Sequence, residues 1–221
     1  MSAMGPAPSF HAHRLRRIAR RPGAAGAPAG TEGCEMCAEP VPSTHRHLLE
    51  IGADGGHRVL CACQACALLF DHRAAGGGHY RLVPQRRVPL PDFRMDDLLW
   101  AGLGVPVDMA FFVRHADGAV TARYPGPLGT VRAAVVPETW RRIEELNPEL
   151  SGMDTDVEAL LVRRSRDSRE HWLVGVDDCY RLAALVRTCW TGISGGSQVW
   201  TRLEEFFAGL RGEAPHRREG P

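Results

Sequence analysis

Residues 34–37 read Cys-Glu-Met-Cys and residues 61–66 read Cys-Ala-Cys-Gln-Ala-Cys, and the spacing of these five sulfurs decides how the rest of the chain is read. A Cys-x2-Cys turn aims two thiolates at one point, and a second such turn brought alongside completes a tetrahedron around one ion. Cys34/Cys37 and Cys63/Cys66 are the natural pairs. If Cys61 to Cys63 is extended, alternate side chains share a face, so Cys61 is expected near the same ion, a fifth thiol for four places. His45, His47 and His57 lie between the pairs and can replace a sulfur or steer a thiolate through a hydrogen bond. The expected ligands are therefore Cys34, Cys37, Cys61, Cys63 and Cys66, with zinc as the metal. An iron–sulfur cluster is the alternative for the same thiolates, although this order of cysteines follows no standard ferredoxin run. A Rieske cluster needs histidine beside cysteine in each half, and Cys61-Ala62-Cys63 has a cysteine where that histidine belongs.

Around this module, 221 residues with 44% apolar content suffice for one medium domain plus a small appended unit. The formal net charge is +1, but Arg14, Arg16, Arg17, Arg20 and Arg21 fall in the first thirty residues without an acid. The remainder is therefore mildly acidic, which argues against a nucleic-acid-binding face. The chain has no lysine, which excludes a Schiff-base lysine and the lysine of a phosphate-binding Walker loop. An odd number of cysteines in metal-type spacing suits a reducing compartment, so a cytoplasmic protein is expected. No run reaches the length of a membrane span.

The pattern divides the chain into an Arg/Ala/Gly/Pro-rich disordered tail (1–30, with a short helix at His11 to Arg20), the cysteine module (31–72), a linker (73–91), an α+β body (92–211) and a disordered tail (212–221). In the module, Arg46 to Ile51 and Arg58 to Leu60 read as strands around an Asp54-Gly55-Gly56 turn, a zinc-ribbon-like hairpin. Ala67-Leu68-Leu69-Phe70 is apolar enough to seat it on the body. In the body, Asp92 to Leu103 reads as a helix. A strand through Val107 to Val113, another over Val120 to Tyr124 and a third over Val131 to Val136 form an antiparallel meander. A helix starts at Pro137, with Trp140, Ile143 and Leu146 on one side. Val157 to Arg164 and Trp172 to Val176 form a hairpin. A helix capped by Asp177 or Asp178 runs to Trp190, and Val199, Leu203, Phe206 and Leu210 mark the core stripe of a last helix. The fold class expected is α+β: the cysteine module appended to an antiparallel sheet with C-terminal helices.

Elsewhere the candidate chemistry is thinner. Asp154, Asp156 and Glu158 alternate, and an extended backbone puts three carboxylates on one face as a cation or acid/base site. Cys179 stands where a helix begins, where backbone amides lower a thiol's pKa, but Asp177 and Asp178 oppose that and a packing role is expected. The run from Gly192 to Ser197 reads as a turn. His171 is a titratable group without a visible partner.

With these residues in view, the chain resembles an uncharacterised family of bacterial proteins associated with genes for high-affinity uptake [NiFe] hydrogenases. The matching pieces are Cys34-x2-Cys37, His45-x-His47, Cys61-Ala-Cys63-x2-Cys66 with Leu68-Leu69-Phe70, Tyr124-Pro125-Gly126-Pro127, the run from Asp156 to Val162, Asp178-Cys179-Tyr180, Trp190-Thr191-Gly192 with Ser194-Gly195-Gly196, and Phe206-Phe207. They cover about residues 31 to 211; the family carries proline where this chain has Gly175. The resemblance implies a setting and no mechanism: an accessory protein for a metalloenzyme, with a hydrogenase subunit or maturation factor as partner. The functional expectation is a non-enzymatic zinc-binding accessory protein. The alternatives are an iron–sulfur carrier using the same cysteines and an enzyme using Asp154/Asp156/Glu158 or Cys179.

Overall fold

A computed structural model of the chain describes residues 32–52, 56–72, 75–126, 129–165, 169–192 and 195–213. The Arg-rich tail and the short helix expected in it, the Asp54-Gly55 part of the first hairpin turn and most of the C-terminal tail lie outside these residues.

The expected α+β class holds, with two antiparallel sheets. In the smaller, β1 (Arg46–Ile51) lies between β2 (His57–Ala62) and β3 (Tyr80–Leu82). The larger has six strands in the order β4-β9-β8-β5-β6-β7, namely β4 (Arg87–Pro89), β5 (Met109–Arg114), β6 (Val120–Gly126), β7 (Gly129–Ala134), β8 (Glu158–Arg164) and β9 (Arg169–Gly175). Among the described residues five α-helices accompany them: α1 (Gln64–Leu69), α2 (Asp97–Gly102), α3 (Pro137–Leu146), α4 (Val176–Cys189) and α5 (Gly196–Glu213). Between 73 and 91 the chain contributes one strand to each sheet, β3 and β4.

The period-2 alternation of strands assigns the two faces of the large sheet. Phe111, Leu161, Trp172 and Val174 pack on one side against α4 and α5, together with Val199, Leu203, Phe206 and Leu210. Phe112, Leu160, Val162 and Leu173 pack on the other against α2 and α3, with Trp100, Trp140 and Ile143. The central strands β5 and β8 are buried on both faces, which is why they read as unbroken apolar runs. Each large side chain removed from water there contributes roughly 1.5–3 kcal/mol.

The small sheet divides in the same way. Leu48, Leu60 and Ala62 turn toward the cysteines, while Leu49, Ile51 and Val59 turn toward the core under α4 and α5. This second face seats the module on the body. The run Ala67 to Phe70 does not: Leu68 and Leu69 are 67% and 63% exposed, and Phe70 packs on Tyr80 within the module.

Two helix starts depart from the sequence reading. The expected helix from Asp92 begins at Asp97, because Asp96 accepts the Leu99 amide at 2.8 Å and so caps it there. At α4, β9 runs directly into the helix at Gly175 without a side-chain cap. Asp177 and Asp178 therefore sit in its first turn, free to bind other elements: His47 holds Asp177 at 2.7 Å and Arg87 holds Asp178 at 2.6 Å.

Candidate metal centre

The first cysteine pair lies on a tight turn. The Ala38 amide donates to the Cys34 carbonyl at 2.8 Å, the Cys34 amide donates to the Glu39 carbonyl at 2.8 Å, and Gly33 bridges Pro40. Closing this turn forces Ala38 to φ +65°, a left-handed conformation that disfavours a Cβ. The second pair straddles the start of α1, where Cys63 is the N-cap and its sulfur accepts the Cys66 amide at 3.5 Å. Strand β1 and its partner β2 bring the turns together over Val41, Leu48, Leu60 and Ala62. The Sγ atoms of Cys34, Cys37, Cys63 and Cys66 all lie within 4.8 Å of one another, and Cys37 and Cys63 approach to 3.6 Å. None of the seven cysteines is in a disulfide.

The surroundings divide the protons unevenly. Burial pushes the Cys34 thiol up, but the Cys63, Met36 and Cys37 amides donate to its sulfur and bring it down to about 6. Cys66 is pushed up by burial and then by the Cys37, Cys34 and Cys63 thiols around it. A cation in the centre would displace the remaining protons, as thiolate coordination requires. The group can hold a metal ion.

Cys61 does not join this group. The alternation that was to carry it there ends at Ala62, the last residue of β2; Cys63 belongs to the helix cap. Within β2, Leu60 and Ala62 face the four sulfurs, so Cys61 faces the other way, where it clusters with His45 and His47. Burial, then Glu32 and Glu35, raise its thiol.

The three alternating carboxylates separate for a similar reason. Asp156 has φ +64°, so the backbone from 154 to 158 is not extended and the period-2 inference fails. Glu158 is fully buried and bound by Arg86 and the Asp154 amide. Asp156 instead meets His115, whose Nδ1 is 2.9 Å from its Oδ1, while His115 Nε2 is 2.8 Å from Thr121 Oγ1. His57 completes this cluster, and burial lowers its pKa. Burial pushes the Asp156 carboxyl up, but the His115 hydrogen bond and then the charges of His115, His57 and Arg81 hold it below the usual range. The cluster lines a cleft of about 600 Å³ with Arg81 and Arg132. Its members lie 58 and 41 residues apart, so no local pattern marked it.

Cys179 is fully buried, and burial followed by Asp178 and Asp177 raises its thiol well above the ordinary value. It is a packing residue of the core. His171 is stacked on Phe93 at 4.6 Å, and burial, then Arg164 and Arg169, bring its pKa down to about 4. The Thr191 amide donates to the Gly195 carbonyl at 3.1 Å, just before α5.

The sequence of a family of unknown function, DUF5947, matches residues 33–214, from the residue before Cys34 to the end of α5. The chain belongs to this family. Both cysteine pairs, Cys61 and the two histidines beside it fall inside the family match. No curated protein and no solved structure matches the chain. No helix among the described residues is long and apolar enough to cross a membrane.

Proposed function

We propose that this protein is a non-enzymatic accessory protein: Cys34, Cys37, Cys63 and Cys66 hold one zinc ion that stabilises the module, and the module docks on a partner during assembly or function of a [NiFe] hydrogenase. The observation that carries the metal reading is the convergence of four sulfurs within 4.8 Å from two turns far apart in sequence. Sulfurs at ~2.3 Å from a tetrahedral ion lie about 3.8 Å from each other, and the 3.6 Å between Cys37 and Cys63 is close to that edge. An iron–sulfur cluster sets irons and bridging sulfides between its thiolates and spreads them further, so the spacing favours a single ion. Four thiolates leave no coordination position for water; such an ion adds folding free energy and activates no nucleophile.

The docking half of the reading is supported by Leu68 and Leu69, exposed on α1 directly after Cys66, where an apolar pair on a metal-braced helix offers a partner contact. The hydrogenase setting comes from the family resemblance. Metal analysis of anaerobically purified protein tests the first half. Colourless protein that loses one zinc equivalent in Cys34→Ser and in Cys63→Ser is expected, and brown protein with iron and acid-labile sulfide overturns it. Affinity co-purification from native cells tests the second. A hydrogenase subunit or maturation factor should come down with the wild type and not with Leu68→Glu/Leu69→Glu; recovery with neither overturns the docking role.

A further inference from the structure

The body-facing side of the small sheet carries a second set of metal-type donors. In the β1–β2 register His47 stands directly across from Cys61, and directly opposed residues of an antiparallel pair keep their side chains on one face about 5 Å apart. His45, just before β1, packs edge-on against His47 with ring centroids 4.8 Å apart. One donor atom from each of the three lies within 4.8 Å of the other two.

The histidine tautomers are already selected. His45 Nδ1 is 2.8 Å from the Pro42 carbonyl oxygen, and His47 Nδ1 is 2.7 Å from Asp177 Oδ2. Both partners only accept, so each Nδ1 is the donor and Nε2 is the nitrogen left to bind a metal. Carboxylate- or carbonyl-braced imidazoles with a free second nitrogen are how proteins hold metal-binding histidines. His45 Nε2 is buried without a hydrogen-bond partner among the described residues, on a side chain only 6% exposed. A buried polar atom left so is unfavourable, and a bound cation would satisfy it. Glu32 Oε2 lies 3.8 Å away, too far for a hydrogen bond and comparable to the ~3.3–3.8 Å edge of a ligand tetrahedron.

We infer that His45, His47 and Cys61 form a second metal site, distinct from the four-thiolate centre, with the exposed Glu32 carboxylate beside it. The Cys61 thiolate and the Glu32 carboxylate together neutralise a divalent cation. Two imidazoles and one thiolate select a borderline transition ion of the Co²⁺-to-Zn²⁺ series over Mg²⁺ or Ca²⁺. Both histidines line a cleft of about 480 Å³ shared with Tyr180 and Arg181. Through His47 and Asp177 the site links the module to the first turn of α4.

The test is Co²⁺ titration of the full chain, read by its thiolate-to-cobalt and d–d absorption, with thermal unfolding as a check on folding. Wild type should take two equivalents with different spectra: one with four sulfurs, abolished by Cys34→Ser, and one with a single sulfur, abolished by Cys61→Ser and by His45→Gln. Cys61→Ser is nearly isosteric and tests the site if His45→Gln unfolds. Binding by wild type that neither Cys61→Ser nor His45→Gln changes overturns the inference and leaves the four-thiolate reading intact. Binding that depends on Cys61 and His45 but not on Cys34 supports the inference and removes the four-thiolate reading.

Discussion

Glu158 gives the sharpest test of whether the acidic run before β8 serves the fold or a reaction. Its carboxylate is fully buried and receives Arg86 Nε on one oxygen, Arg86 Nη2 at 2.5 Å and the Asp154 amide at 2.8 Å on the other. Arg86 Nη2 also donates to the Gly152 carbonyl at 2.6 Å. Arg86→Met keeps the aliphatic stem and removes the guanidinium. The stranded carboxylate then retains one donor, and breaking a buried ion pair from one side costs about 3–5 kcal/mol. An independent count gives a similar figure: two charge-assisted hydrogen bonds at about 1.5–3 kcal/mol each are lost. The Arg86 side chain is 43% exposed, so water reaches the gap and the lower end, about 3 kcal/mol, is expected.

Urea unfolding followed by tryptophan fluorescence reads this directly, because Trp140 and Trp172 are buried in the two cores. Adding Glu158→Gln to Arg86→Met should recover about 2 kcal/mol, since an uncharged amide is far cheaper to bury. A loss below about 1 kcal/mol, or no recovery in the double variant, would refute the assignment of Glu158 as a buried structural anion.

Three other outcomes follow from the same geometry. With His171 at about 4 in the folded protein and 6.5 as its ordinary value, the unfolded chain takes up the proton first. Stability should therefore fall by about 3 kcal/mol between pH 6.5 and 4, and pH-dependent unfolding of His171→Gln should lack that component. Ala38→Gly should raise the stability of the metal-loaded protein by about 0.5–1 kcal/mol, because relieving the left-handed turn returns roughly 1–2 kcal/mol against roughly 0.5–1 kcal/mol of added backbone entropy; a lower denaturation midpoint would contradict this. Iodoacetamide mapping by mass spectrometry should find Cys179 unmodified in the native protein and modified only after unfolding, since its thiol is buried and held protonated; native-state alkylation there would reopen a nucleophilic role.

What the sequence revealed and what it hid divide by the range of the interaction. The two Cys-x2-Cys pairs, the Trp140/Ile143 side of α3 and the Val199-to-Leu210 stripe of α5 are set by spacings of two to four residues, and the chain carries them in plain view. The direction of Cys61 is a longer-range property. The i, i+2 rule was applied from Cys61 forward to Cys63, across the point where β2 ends and α1 is capped. Applied across the strand, the same geometry puts Cys61 beside His47, because their opposed register is fixed by the hairpin. Asp156 hides for a related reason: its positive φ breaks the alternation that made Asp154, Asp156 and Glu158 look like one group. That turn aims Asp156 at His115 at the end of β5, a partner identified by strand pairing and by no nearby residue. In both cases the misleading inference assumed that extended backbone continues through a residue where the chain bends. Both bends bear on a cluster of imidazole with thiol or carboxylate at an end of the small sheet, His45/His47/Cys61 at one and His57/His115/Asp156 at the other. Donor types scattered through the sequence thus become chemistry only once β1 and β2 pair.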